Sequence, residues 1–160
     1  MMSRSHAWVK RGEEFIERIP MNRGATLTLL GAIRLRGWVL LSTQWQTANG
    51  DRFVAWLIRK LLPKLSRGDI LVMDNLRAHH DKRVVPACAR RGVRVLYQPP
   101  HSPDFNPIEP AWALQKQHVR KHAPRSHDAL RRVARHARYR VTQRHCRQWF
   151  IHAGYQGQLK

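Results

Sequence analysis

Apolar runs set between turn-forming clusters organise most of this chain. In "GATLTLLGAIRLRGWVLLSTQW" two such runs, Thr26 to Ile33 and Trp38 to Thr43, flank "RLRG", where Gly37 supplies the turn; the pattern predicts a β-hairpin. In "TANGDRFVAWLIRKLLP", Phe53, Trp56, Leu57 and Leu61 recur at helical spacing, with Asn49 or Asp51 as cap and Pro63 as stop. "GDILVMDN" is a short apolar run after a glycine turn, bounded by Asp74 and Asn75, and predicts a buried strand. Residues 81–91 form a short predicted helix closed by Gly92, and "VRVLYQ" a further strand broken by Pro99 and Pro100. Strand, helix, strand in this order implies a right-handed crossover and a parallel pair. Ligands of open α/β sheets collect at the carboxyl ends of such strands, the edge where Asp74 and the loop after Gln98 emerge.

Beyond the proline-rich loop "HSPDFNPIEPAW" the pattern turns helical. Asn106 is placed to cap a helix, with Pro107 at the first helical position and Glu109 at the third, as in a capping box. "SHDALRRVARHARYRV" puts Leu130, Val133, Ala134, Ala137 and Val141 on one face and Arg131, Arg132, Arg135 and Arg138 away from it. A last helix is expected from Thr142 to near Gly154. No internal repeat or low-complexity linker interrupts the series.

Composition adds a partner class. The 160 residues fit one domain, and 42% apolar content with six tryptophans describes a folding chain. Thirty Lys and Arg against ten Asp and Glu leave a formal charge of +20, which attracts polyanions and makes nucleic acid the first partner to consider. An arginine-rich solvated surface is the plain alternative. No apolar stretch has the length of a signal peptide or a membrane span, so a cytosolic, membrane-free protein is expected. Cys88 and Cys146, far apart and outside any CxxC pair, are expected to be reduced. None of the ten histidines stands at zinc-site spacing.

Candidate chemistry rests on two acids. Asp74 ends a strand, and Glu109 opens a helix reached by the loop from the next strand, so both can meet at one sheet edge. Paired carboxylates on a basic surface suit Mg²⁺-assisted phosphoryl transfer, in which hard oxygen ligands hold the ion that polarises the phosphate. Asp74 as a turn former and Glu109 as a capping partner remain an alternative, weakened by Pro110, which lacks the amide such a cap would use.

"MDNLRAHH", together with "PPHSPDFNPIEPAW" and Lys116, resembles the second- and third-acid motifs of the mariner-like superfamily of DDE transposases, especially its bacterial insertion-sequence branch. Asp74, Asn75 and His79 fit the first motif; Ser102, Pro103, Asn106, Pro107, Ile108, Glu109, Trp112 and Lys116 fit the second. The 34 residues between the acids, positions 75–108, match the spacing of that superfamily. The resemblance runs more loosely from Gly24 to "FIHAGY". It implies an RNase H-like α/β fold, a mixed sheet flanked by helices, with the hairpin as second and third strands. It also implies three acids and two Mg²⁺ or Mn²⁺ ions that nick transposon ends and join them to target DNA. Asp74 and Glu109 would be catalytic metal ligands, with Asn75, His79 and Lys116 beside the scissile phosphate. Arg120, Lys121, Arg131 and Arg135 are candidate DNA contacts within a run, Arg120 to Arg147, holding ten Lys or Arg and a single acid, Asp128.

The family's first aspartate closes the first strand, upstream of the hairpin, and no Asp precedes Asp51 in this chain. Glu13, Glu14 and Glu17 lie in "RGEEFIERIP", outside any motif strand. Residues 1–160 are therefore expected to form one N-terminally truncated catalytic domain, without the first strand and the helix-turn-helix module. Such a chain is expected to be inactive by itself and to work, if at all, as a homodimer or with its N-terminal portion supplied, at a bacterial nucleoid in the cytoplasm. A non-catalytic basic DNA-binding protein is the second reading.

Overall fold

The computed structural model describes residues 8–12, 14, 25–100 and 102–155. Strands β1 (Thr28–Arg34) and β2 (Gly37–Gln44) form the antiparallel hairpin, in register from Thr28 opposite Gln44 to Arg34 opposite Gly37, with an irregularity at Ala32 and Ile33. Strand β2 runs one residue beyond the expected apolar run at each end, whereas β1 starts two residues later than expected, at Thr28, and ends one later, at Arg34, because pairing with β2 sets both limits.

Helix α1 (Gly50–Trp56) is capped by Asn49, whose side chain accepts from the Arg52 amide; Asp51 sits in the first turn instead. The helix widens into a π-helical stretch at Leu57–Leu61 and tightens into a 3₁₀ turn at Leu62–Lys64, where Pro63 ends it. Phe53, Trp56, Leu57 and Leu61, the residues expected to share a face, are all buried in the main core.

Strand β3 (Ile70–Met73) pairs in parallel with β4 (Arg94–Tyr97) through helix α2 (Val84–Arg90). Helix α2 starts later than expected because Asp81 accepts from the Arg83 amide and side chain ahead of the first turn. It closes at Gly92 (φ +69°), whose amide bonds to the Ala89 carbonyl. The expectation of a buried β3 is corrected: Met73 is buried, Leu71 and Val72 are partly covered, and Ile70 is exposed. The reason is topological. Among the described residues the strands form two separate pairs, β1 with β2 and β3 with β4, so one edge of β3 has no neighbouring strand.

Helix α3 (Glu109–His122) packs against α4 (His127–His136) and the 3₁₀ turn Ala137–Arg140 that follows it; α5 (Gln143–His152) closes the chain. Ser126 caps α4, and Thr142 with His145 makes a capping box on α5. Val119 and Ala134 are buried, as is Gln115, placed to bond the Ala134 carbonyl and the Arg138 amide. Cys88 and Cys146 are free and buried, as their spacing implied. Among the described residues no helix is long and apolar enough to cross a membrane.

Candidate active site

Asp74 leaves the sheet at the end of β3, and its carboxylate is already oriented. Oδ1 lies 2.7 Å from His79 Nδ1 and accepts the Leu76 amide at 3.2 Å. Among the described residues Oδ2 takes no hydrogen bond. His79 is held in turn: its ring tilts against Phe53 at 4.4 Å between centroids, and its carbonyl accepts from the Tyr97 hydroxyl at 2.8 Å. Tyr97 ends β4, so the partner of Asp74 is fixed by the neighbouring strand.

Asn75 bonds across to the residue that follows the next strand and to His80. Its side-chain amide donates to the Gln98 carbonyl and its Oδ1 meets His80 Nε2 at 2.9 Å, which ties the end of β3 to the start of the proline loop. Buried Gln98 continues the tie: its backbone amide bonds to the Met73 carbonyl and its side chain donates to the Phe105 carbonyl at 2.7 Å. The Tyr155 hydroxyl donates to that same carbonyl at 3.1 Å, anchoring the loop to the end of the described chain.

Glu109 is delivered as expected, but by a turn rather than a capping box. Asn106 Oδ1 accepts weakly from the Ile108 amide, and the Glu109 amide bonds back to the Asn106 carbonyl at 3.1 Å. Pro110 has no N–H to extend a helix back to Asn106, so α3 begins at Glu109 itself. The consequence is an exposed carboxylate that, among the described residues, makes no hydrogen bond or ion pair.

Asp74 and Glu109 line one cavity of about 580 Å³, together with His79, Asn106 and Trp112. Its walls are β1, β3, α1 and the start of α3. Trp112 stacks obliquely on Trp38 at 5.2 Å, and Gly31 lets them close: a Cβ there would sit 2.7 Å from Trp38 and 2.8 Å from Trp112. Lys116 is exposed seven positions after Glu109 on the same helical side, outside the cavity. Arg120 and Lys121 stand in the last turn of α3, and Arg131 and Arg135 are exposed on α4, so the basic candidates form a separate surface.

Three other acids, Asp51, Asp69 and Asp81, are committed elsewhere. Arg83 joins Asp51 (2.6 Å) and Asp81 (2.7 Å), and its hydrogen bonds hold the Asp81 carboxyl well below the usual carboxylate range. Asp69 pairs with Arg34 at 3.5 Å and accepts the Ser66 amide. Glu13 and Glu17 lie outside the described residues. Carboxylate oxygens of this kind are the hard donors a divalent cation takes, and one of the two carboxylates is braced by an imidazole; among the described residues they are not joined by a third His, Cys, Asp or Glu into a cluster that could hold a metal.

A family model for the DDE superfamily endonucleases matches residues 1–131, most of the chain. The chain belongs to that family. No curated protein matches it. Among solved structures, this DDE chain is similar to the Mos1 transposase paired-end complex with left transposon end, at TM-score 0.72 and 18% identity over 96% of this chain and 48% of that one. It is also similar to the Mos1 strand transfer complex, at TM-score 0.68 and 19% identity over 93% and 46%. The Mos1 mariner paired-end complex with Mn follows, at TM-score 0.61 and 14% identity over 93% and 47%. These likenesses establish the RNase H-like fold, and the DDE chain spans about half the length of the structures it matches. The sequence motifs singled out Asp74, His79 and Glu109, which line one cavity, and did not single out Tyr97, Gln98 and Gly31, whose contacts depend on the neighbouring strand, loop and ring.

Proposed function

We propose that this chain is the catalytic portion of a DDE transposase that cleaves transposon-end DNA and joins it to a target, with Asp74 and Glu109 as ligands of a divalent metal. The observation that carries the reading is that these two carboxylates line one cavity, each with an oxygen that takes no hydrogen bond among the described residues. His79 orients Asp74, and the turn at Asn106 delivers Glu109. Family membership supports the reaction class, and the solved Mos1 structures include transposon-end DNA and, in one case, Mn. When bound, Mg²⁺ or Mn²⁺ would polarise the phosphate and activate the attacking oxygen. The chain's own basic residues would hold the DNA backbone: Lys116 beyond the acids, then Arg120, Lys121, Arg131 and Arg135 along α3 and α4. A bacterial insertion sequence as source, a nucleoid location and a homodimeric assembly complete the proposal.

With two acids of the expected three in its sequence, the purified chain should neither nick nor join DNA. It should still bind Mn²⁺. Titration followed by electron paramagnetic resonance should show binding weakened at least about tenfold by Asp74→Asn and by Glu109→Gln, with circular dichroism unchanged. Binding indifferent to both substitutions would replace this reading with that of a basic DNA-binding protein. Metal-dependent strand transfer by the purified chain, abolished by Asp74→Asn, would overturn the expected inactivity.

A further inference from the structure

Five basic side chains from three elements gather where α3 meets α4. His118, Lys121 and His122 lie on the last turns of α3, His136 ends α4, and Arg140 ends the 3₁₀ turn that follows. Packing of α3 on both neighbours brings them together, with Gln115, three positions before His118, set against the Ala134 carbonyl and the Arg138 amide. The His118 and His122 rings tilt against each other with centroids 4.2 Å apart. None of the five lines the cavity of Asp74 and Glu109. Asp128, the single acid between Arg120 and Arg147, stands at the far end of α4.

Charges of one sign from three elements call for an anion. Burial, and then the charges of His122, Arg140, His136 and Lys121, hold the His118 imidazole below its ordinary 6.5. His118 is therefore short of a proton near neutral pH until an anion offsets its neighbours. The second ring is poised by its hydrogen bond: His122 Nδ1 lies 2.9 Å from the His118 carbonyl oxygen, which fixes the hydrogen on Nδ1. Its Nε2 then carries a lone pair in the neutral ring, and can donate to an anion only after taking up a proton. Anion binding and protonation at this corner are thus one event.

Tyr139 distinguishes a nucleic-acid phosphate from a free one. It is 66% exposed, its ring meets His136 edge-on at 5.7 Å between centroids, and the Arg138 guanidinium covers it at 4.6 Å. An exposed aromatic ring beside a cationic site offers a stacking face for a base, which an isolated phosphate ion does not use.

We propose that the corner between α3 and α4 is a proton-linked phosphate site for nucleic acid: a backbone phosphate enters as His118, His122 and His136 take up protons from solvent, with Lys121 and Arg140 as permanent charges. The proposal rests on the DNA reading above and on no part of its metal chemistry.

The test is the affinity of the full chain for a short DNA duplex, followed by fluorescence anisotropy at constant ionic strength without metal. From about pH 8 to about pH 5.5 the affinity should rise by roughly tenfold or more. Replacing His118, His122 and His136 together with glutamine should remove most of that rise and leave the affinity at the alkaline end unchanged, while His152→Gln, on α5, should keep it. No rise in the unaltered chain, or an equal rise in the triple variant, would overturn the proposal. A loss as large at the alkaline end as at the acid end would make the histidines structural and overturn it too. Should circular dichroism show the triple variant unfolded, the unaltered chain decides by nuclear magnetic resonance. The His118 titration midpoint should move up by about one unit with the duplex and stay put with inorganic phosphate at equal ionic strength. An unmoved midpoint, or an equal shift with phosphate alone, would overturn the nucleic-acid site. DNA binding that is present but indifferent to pH leaves the proposed function standing, and the absence of DNA binding at every pH would remove both.

Discussion

At the scale of single residues, the site works by dividing one carboxylate between two tasks. Asp74 gives Oδ1 to His79 and the Leu76 amide and, among the described residues, takes no hydrogen bond at Oδ2, so under the proposed reading His79 would act on a bound cation through Asp74. Losing an outer partner of a metal ligand commonly costs about 10–100-fold in affinity. His79→Phe, which retains a ring against Phe53, should therefore weaken Mn²⁺ binding by roughly that factor. A purely structural His79 would instead lower the melting temperature and leave the titration unchanged. Cys146 makes a different prediction. Burial pushes its thiol up from the ordinary 9.0 to about 11, so the folded state keeps a proton that the unfolded state gives up. That contribution is fully present below pH 9 and is lost as pH rises through about 11. Urea midpoints should fall across that window, and Cys146→Ala should flatten part of the fall. Cys88 and Tyr97, both shifted the same way by burial, contribute to the remainder.

At the scale of elements, helix ends carry most of the local information. Gly92 closes α2 in a left-handed conformation with its Cβ direction 2.6 Å from Arg67 Cγ. Gly92→Ala meets both penalties and should destabilise the fold by about 1–2 kcal/mol, read from urea denaturation. A smaller loss would mean that Arg67 swings aside and the backbone relaxes. Such ends were legible in the sequence because their causes are local: Asn49, Thr142 and Gly92 each act within a few positions of themselves. The hairpin and the parallel pair were legible for the same reason, through their apolar runs. Of the expectations that failed, one had a local cause and one a distant one. The start of α3 depended on Pro110 denying an amide to Asn106, which the proline itself announced. The exposure of β3 depended on what lies across its free edge, which no window around Ile70 contains. Tyr97 and Gln98 escaped notice in the same way, since each acts on a carbonyl supplied by another segment.

At the scale of the whole molecule, charge acts on stability and on binding with opposite signs. A net +20 repels itself in the compact state, so added salt should raise the melting temperature by screening. DNA affinity should fall over the same range, because each phosphate contact releases condensed counterions. Measured together between about 0.05 and 0.5 M salt, the two trends separate a folded DNA binder from a chain that merely loses structure as salt changes. The slope then identifies the surface. Arg131 and Arg135 stand exposed on α4, away from the cavity and from each other's hydrogen bonds. If both touch phosphates, replacing them together with glutamine should reduce the slope of log affinity against log salt by about 1.8, at roughly 0.9 per contact. Mn²⁺ binding should stay unchanged, because the acids lie elsewhere. An unaltered slope would return these arginines to the solvated surface and move the DNA path toward Lys116, Arg120 and Lys121, on the helix that Glu109 begins.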